Sequence, residues 1–597
     1  MRFAVLLAIL SSVDVAWPSG TQHLSSTYDY IVVGGGTCGL VVANRLSENA
    51  NISVLVVEAG GSVFNNSDVT DIGGYGRAFN TAIDWQYKTV PQTHGNSDVQ
   101  TLHAAKALGG TSTINGMSYT RAESAQIDAW EEAGNPGWNW KNLYPYYLKA
   151  EKYQAPTPRQ AQGGASYEPE LHGFDGPLKV GYPENQAVNS FPSTLNSSYQ
   201  ALGVPFSRDV NGGIMRGFTV YPKTVDVEAN VRADAARAYY WPFSASRNNL
   251  QLLLNSTAHR VLWKTSPNLQ GEVVAAAVEI VGGDGSKRIL NATREIILSA
   301  GALRTPSILE LSGVGNPKIL SKANINTTVS LPGVGENLID QINSALTFSK
   351  TTSETYTGVA GYASYPNITD IFGASSSALA SSVLAALPSY ASSIAAQNNN
   401  ATSVEDMLAL LKVQHSLIFD AQVPVGEIIH YPSGNELGSQ YWSTLPFARG
   451  NIHITSLDPS VPAKINPNYF MLEFDVKSQI EIARWMRKLF ATAPLTNIAG
   501  AETWPGTKTV PSDASDAVWS TWLRRNYRGN YHFLSTAAMM PREMGGVVSE
   551  RLKVYGIANL RVVDASVLPF QVCGHLMSTL YAVAERASDL IKADGGL

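Results

Sequence analysis

The sequence predicts a mixed α/β chain: a Rossmann-like parallel sheet, joined by antiparallel strands and a long helical excursion. Three observations carry this. Residues 28–60, YDYIVVGGGTCGLVVANRLSENANISVLVVEAG, read strand, glycine turn, helix, strand. Strand patterns suited to the same sheet recur near residues 300 and 560, so the chain leaves that sheet and re-enters it. Over 250–301 and 427–470, apolar runs alternate with turn signals as antiparallel strands do.

Residues 1–16, MRFAVLLAILSSVDVA, have a basic n-region at Arg2, an apolar stretch from Phe3 to Leu10 and small residues at Ser11, Ser12 and Ala16. This is the pattern of a secretory signal peptide, too short to span a bilayer. N-x-S/T sequons at Asn51, Asn65, Asn196, Asn255, Asn291, Asn326, Asn367 and Asn400 agree with a secreted, extracellular glycoprotein. The net charge of −5 excludes a nucleic-acid or anionic-membrane partner as the reading of charge, and the ten histidines show no metal-ligand spacing. The two cysteines, Cys38 and Cys573, form no disulfide framework; they are expected as buried thiols, a single bridge being the alternative.

Tyr30 to Val33 and Val54 to Val57 are apolar, β-branched runs of the buried parallel type. Between them Gly34, Gly36 and Gly39 have G-x-G-x-x-G spacing. The first gives a tight turn, the second lets backbone approach a pyrophosphate, the third packs helix on strand. The helix N-terminus offers free N–H groups to phosphate. Glu58, at the end of the second strand, stands where an acid accepts a ribose hydroxyl. The unit therefore predicts dinucleotide binding.

Further along, LHAAKALGGTSTINGMSYTR at 102–121 reads as a loop followed by a small-residue helix, with Gly109 and Gly110 admitting a ring or phosphate or simply making a turn. Aromatic residues over 125–155 read as packing, and 160–230 as loops and short strands. PSILELSGVG at 306–315 is a helix ended by Gly313. Residues 352–425 form the helical excursion, in which Ala374–Ala391 reads as a surface helix pair around Pro388. Leu560 to Val563 is a buried strand ending on Asp564, and Leu576 to Ala587 is helical. His532 and His575 follow short polar or glycine-bearing segments, where an imidazole could take a proton from an alcohol or serve structurally. Arg528 and Asn530 could bind hydroxyls or form a solvated loop.

These motifs resemble those of the glucose–methanol–choline (GMC) flavin oxidoreductases. The likeness rests on GGGTCG with Glu58, AKALGGTSTING at 105–116, GALRTPSILELSGVG at 301–315, GVGENLIDQ at 333–341 and the closing LRVVDASVLP…GH…AERASDLI. NGMSYTR, STAAMMPREMGGVV and PFQVCGHLMSTLYAVAERASDLIK bring it closest to the fungal FAD-dependent glucose dehydrogenases. The resemblance implies noncovalent FAD, since residues 111–115 hold no histidine for a covalent link. It implies a substrate domain with an antiparallel sheet flanked by helices. The expected division is a signal peptide at 1–16, a discontinuous FAD-binding domain at 28–100, 240–345 and 555–597, and a substrate-binding domain at 101–239 and 346–554.

By motif position His532 matches the family's base and His575 the second active-site residue. Gly109, Gly110, Asn115 and Asp564 fall among its cofactor contacts, and Tyr75, Glu427, Arg528 and Asn530 among its sugar contacts. The implied reaction is oxidation of the C1 hydroxyl of D-glucose to gluconolactone, hydride passing to flavin N5 and electrons to a quinone-type acceptor. The alternatives are an oxidase using O2, an oxidase or dehydrogenase of aryl or secondary-metabolite alcohols, and an inactive flavin-binding protein. Monomer and homodimer stay open. After His532, where a small residue or Pro, an aliphatic residue and Gly are usual, the chain has Phe533, Leu534 and Ser535, so Phe533 and Ser535 depart from the pattern, as do Ser549, Ile339 and His103.

Overall fold

The computed structural model describes residues 24–359, 361–459 and 461–597, so the signal segment lies outside the described residues. Two seven-stranded sheets organise them. In the first, Thr27–Val33 lies between Val54–Val57 and the long strand Lys287–Leu298, parallel to both: Tyr30 faces Val54 on one side and Glu295 on the other. Leu250–Leu253 adds a parallel strand beyond Val54–Val57. On its other edge Lys287–Leu298 takes two further partners. Its first half is antiparallel to Ala275–Gly282, which pairs with Ser256–Trp263; its second half takes Leu560–Val562 in parallel. The return to the sheet near residues 300 and 560 is thus through one strand and its neighbour.

Val54–Val57 is buried throughout, as a central parallel strand covered on both faces requires. One cover is the helix Thr37–Leu46 packed on the C-terminal helix Leu576–Gly595, where Arg45 pairs with Glu585 and Asp589. The second sheet is antiparallel, in the order Ala499–Trp504, Ile342–Lys350, Glu436–Ser443, Gly426–Ser433, Tyr362–Tyr365, Gly217–Val220. A two-residue turn, Gly434–Asn435, with Gly434 at φ 57°, closes its central hairpin and sets the register Glu427↔Trp442.

Three expectations change. After Gly109 and Gly110 there is a single 3-10 turn, Gly110–Thr113, and no further helix up to Ser118. Asn115 Oδ1 accepts from Met117 N–H, whose residue sits at φ 62°, and this turns the chain out of helical geometry. Within Ala374–Ala391, residues 376–391 belong to one continuous helix, Ser376–Ala395, which follows the 3-10 turn Gly373–Ser375 and pairs with Val404–Phe419. Its apolar Leu379, Val383, Leu387 and Ile394 are buried while Pro388 is exposed, so the missing hydrogen bond falls on the solvent side. Finally, the excursion contains the fully buried strand Tyr362–Tyr365. Cys38 and Cys573 are both buried and free.

Candidate active site

A cavity of about 740 Å³ runs from the glycine turn of the first sheet to the face of the second. Gly34, Gly36, Glu58, Gly110, Asn115 and Asp564 line one end; Tyr75, Arg528, Asn530, His532 and His575 line the other. Eleven of the fourteen expected site residues therefore meet in one cavity, and Gly39, Gly109 and Glu427 stand off its wall.

The first end is made of bare backbone. A Cβ on Gly34 (φ 106°) would lie 2.3 Å from the Ser299 carbonyl oxygen, so this crossing of turn and strand admits only glycine. A Cβ on Gly110 would lie 2.5 Å from Gly36 Cα: the two glycine turns touch and together form the floor. Gly39 is one layer behind, where a Cβ would meet Gly34 O at 2.0 Å, and Gly109 makes the turn at φ 104°. Glu58 accepts from the N–H groups of Gly35 (2.8 Å) and Gly60 (2.7 Å), while burial pushes its carboxyl above the usual range. Asp564 holds the opposite turn, accepting from Gly301 N–H (2.9 Å), Thr305 Oγ1 (2.6 Å) and Ser566 N–H (2.8 Å).

The second end is set by pairing between segments far apart in sequence. Residues 528–534 run against 339–343, with Arg528↔Asn343, Gly529↔Ile342 and a bridge Ile339↔Leu534. Tyr531 at φ 65° breaks the ladder and turns His532 toward the cavity, where Asp340 Oδ1 accepts its N–H at 2.9 Å. The His532 ring then meets Gln341 Oε1 at Nδ1 (2.8 Å). Its pKa lies well below the ordinary imidazole value, chiefly through burial, with the neighbouring His575 and Arg528 adding to it. His575 occupies the N-cap of the C-terminal helix, its N–H donating to Thr120 Oγ1 at 3.1 Å. The two rings lie 5.2 Å apart at 88°, and the Trp442 ring stands near both, at 6.3 and 6.0 Å.

Glu427 is the expected sugar contact that the structure moves. It is fully buried in the central hairpin, takes the Tyr365 hydroxyl at 3.0 Å and sits 3.0 Å from His575 Nε2, behind the ring. Glu427 and its register partner Trp442 share one face of the hairpin, so it is His575, 3.0 Å from the carboxylate and itself on the cavity wall, that separates Glu427 from the cavity. Arg528 and Asn530 are on the wall but already engaged. Arg528 donates to Gln440 Oε1 (2.8 Å) and Gly529 O (3.0 Å); Asn530 bonds Asn343 (2.8 Å) and Gln341 (3.1 Å). Phe533 directs its bulk into a small apolar cluster with Leu102, Leu338 and Ile452. Gln341, Asp340 and Trp442 were missed by the sequence reading. The DQ closing GVGENLIDQ was the local signal for Asp340 and Gln341; Trp442 had none.

The family model described as GMC oxidoreductase matches residues 28–343 with its N-terminal part and 446–584 with its C-terminal part. The chain belongs to the GMC oxidoreductase family. This GMC oxidoreductase is 43% identical over 592 residues to the glucose oxidase-like protein fsoC of Humicola fuscoatra, covering 98% of this chain and 99% of that protein. A glucose oxidase of Penicillium chrysogenum is 34% identical, with 96% and 93% covered. Among solved structures, an FAD-dependent oxidoreductase from Chaetomium thermophilum superposes with a TM-score of 0.88 at 27% identity, covering 96% of this chain and all (100%) of that one. A fungal aryl-alcohol oxidase gives 0.86 at 26%, with the same coverage of 96% and 100%.

The cofactor of this GMC oxidoreductase is FAD. The residues present fit it: the side-chain-free floor at Gly36 and Gly110 leaves room for a pyrophosphate beside the N-terminus of Thr37–Leu46, and Glu58 lies at the strand end suited to the ribose.

Proposed function

We propose that this GMC oxidoreductase is secreted and oxidises the hydroxyl-bearing carbon of a small-molecule alcohol, with noncovalent FAD as the hydride acceptor. One observation carries the reading: a half-buried His532, its pKa held well below the ordinary value and its Nδ1 2.8 Å from Gln341, stands beside His575 in the cavity that would hold the cofactor. FAD, when bound, supplies the acceptor for the hydride. The protein does the rest. Nε2 of His532 takes the hydroxyl proton as the C–H bond is given up, and His575 orients the alcohol oxygen. The buried wall excludes water.

For the substrate, an alcohol carried on an apolar ring is the better supported class. The catalytic end is walled by Tyr75, Tyr221, Ile429, Tyr431 and Trp442, and the polar groups expected for a sugar are bonded to protein or stand behind the wall. A polyol needs fixed, free donors and acceptors. D-glucose oxidised at C1 is the second reading, favoured by the glucose oxidases among the relatives. The electron acceptor is a quinone or O2.

Anaerobic mixing of the yellow holoenzyme with D-glucose and, separately, with 4-methoxybenzyl alcohol tests both. Bleaching of the flavin by the aryl alcohol and not by glucose is the expected result. Bleaching by glucose alone would install the sugar reading, and bleaching by no alcohol of a broad panel would overturn catalysis. Reoxidation in air against reoxidation by a quinone separates oxidase from dehydrogenase.

A further inference from the structure

Lys223 is a cation without a counter-ion on the wall of the active-site cavity. Its residue is 7% exposed, and its Nζ lies 5.2 Å above the Tyr221 ring. Among the described residues its Nζ donates to one acceptor, the neutral Gly116 O at 3.2 Å. Among the described residues no carboxylate pairs with it, and burial, with the like charge of Arg232 adding to it, lowers its pKa to about 8. Arg232 in turn is spent on the backbone of the same loop, donating to Ser112 O (3.2 Å) and Asn115 O (2.8 Å). A buried ammonium left so is costly to keep charged, and the fold retains it only where something compensates.

The cavity shows where that compensation arises. The wall loop runs from Gly110, at the pyrophosphate floor, through Asn115 to Gly116 and Ser118, and Lys223 is bonded to its far end. With the phosphates at Gly36 and Gly110, the part of the cavity that would take the ring end of FAD is the part walled by this loop, His532 and His575. We propose that Lys223 is the fixed positive charge that stabilises the negative charge hydride transfer leaves on FAD. The balance is simple. The alcohol gives its hydroxyl proton to His532 and a hydride (two electrons and one proton) to FAD; it becomes a carbonyl, and FAD gains one negative charge. A cation beside the ring favours that charged form and so raises the reduction potential, one of the levers a protein holds over a bound cofactor. The inference rests on FAD occupying the cavity and is independent of which alcohol is oxidised.

The test needs no substrate. Holoenzyme and its Lys223→Met, Lys223→Gln and Lys223→Arg variants are reduced stepwise with dithionite beside a dye of known potential. The ratio of reduced to oxidised FAD at the dye's midpoint should fall about tenfold or more in Lys223→Met and Lys223→Gln, equivalent to about 30 mV for a two-electron couple. Lys223→Arg should stay within about twofold of wild type, because it keeps the charge. Sulfite, which adds to the oxidised ring and leaves it negative, supplies a second readout: its affinity should fall about tenfold in the two neutral variants. Unchanged ratios and unchanged sulfite affinity in both would overturn the proposal. So would loss of FAD from both folded variants, since the charge would then serve retention of the cofactor.

Discussion

Gln341 Oε1 lies 2.8 Å from His532 Nδ1, and it faces that way because Gln341 Nε2 donates to Thr444 O at 3.0 Å. Asn530 Nδ2 lies 3.1 Å from the same nitrogen, and the shorter contact, to the Gln341 acceptor, is the one that a proton on Nδ1 satisfies. The lone pair is then on Nε2, the atom left to receive a proton. Asn530 reinforces the arrangement by donating to the same Gln341 oxygen. His532→Ala should retain FAD and slow its reduction by alcohol about 10²- to 10⁴-fold, the usual weight of a positioned base. Gln341→Leu, with the base present but its tautomer free, should slow reduction less, while FAD content stays full. Stopped-flow bleaching checks both.

The acid limb of the reaction follows from the same ring. His532 is held well below the ordinary value, first by burial and then by His575 and Arg528. It therefore stays neutral as pH falls through about 6.5, where a free imidazole would protonate. The rate of FAD reduction should be level down through pH 6.5 and decline only below it. An apparent pKa at or above 6.5 would show that His532 is not the titrating base. The sign for stability is the same: a neutral His in the fold against a protonated one in the unfolded chain removes stability as pH drops below about 6.5.

Glu427 touches His575 and not the cavity, which separates two roles by measurement. Glu427→Gln should lower the rate of FAD reduction while leaving the half-saturating alcohol concentration within about twofold. A large rise in that concentration with no change in rate would return Glu427 to the substrate wall.

Ser535 is fully buried at φ 77°, in the left-handed region, and its Oγ accepts from Asn337 Nδ2 at 2.7 Å. Ser535→Ala keeps the strain and loses the hydrogen bond; Ser535→Gly loses the bond and relieves the strain. The glycine variant should be the more stable of the two by about 1 kcal/mol in urea unfolding.

Away from the cavity, His453 lies between Glu310 (2.6 Å) and Glu336 (2.8 Å). Burial opposes its charge, but the hydrogen bonds of the two carboxylates prevail and raise its pKa to about 10. This stabilisation is fully present below about pH 6.5 and is lost as pH rises through about 10. His453→Leu should cost about 3–5 kcal/mol at neutral pH by leaving two buried carboxylates facing one another. The deficit against wild type should shrink above pH 10.

The sequence by itself determined what is local. Strand, glycine turn, helix and acid follow one another within 28–60, and each part's shape is dictated by neighbours a few residues away, so the nucleotide fold and the floor at Gly34 and Gly36 were legible. The motifs around His532 and His575 placed both histidines in one cavity with Arg528 and Asn530. Tertiary structure decided which atoms face that cavity. Glu427 lies on the cavity-facing side of its hairpin, with Ile429 and Trp442, but His575 from the C-terminal helix packs over it and takes the place on the wall. The base's tautomer depends on Gln341, 191 residues from His532, and the environment of Lys223 on Gly116, 107 residues away. No periodicity reports such pairings, because they are made by strands that meet only after the chain has folded.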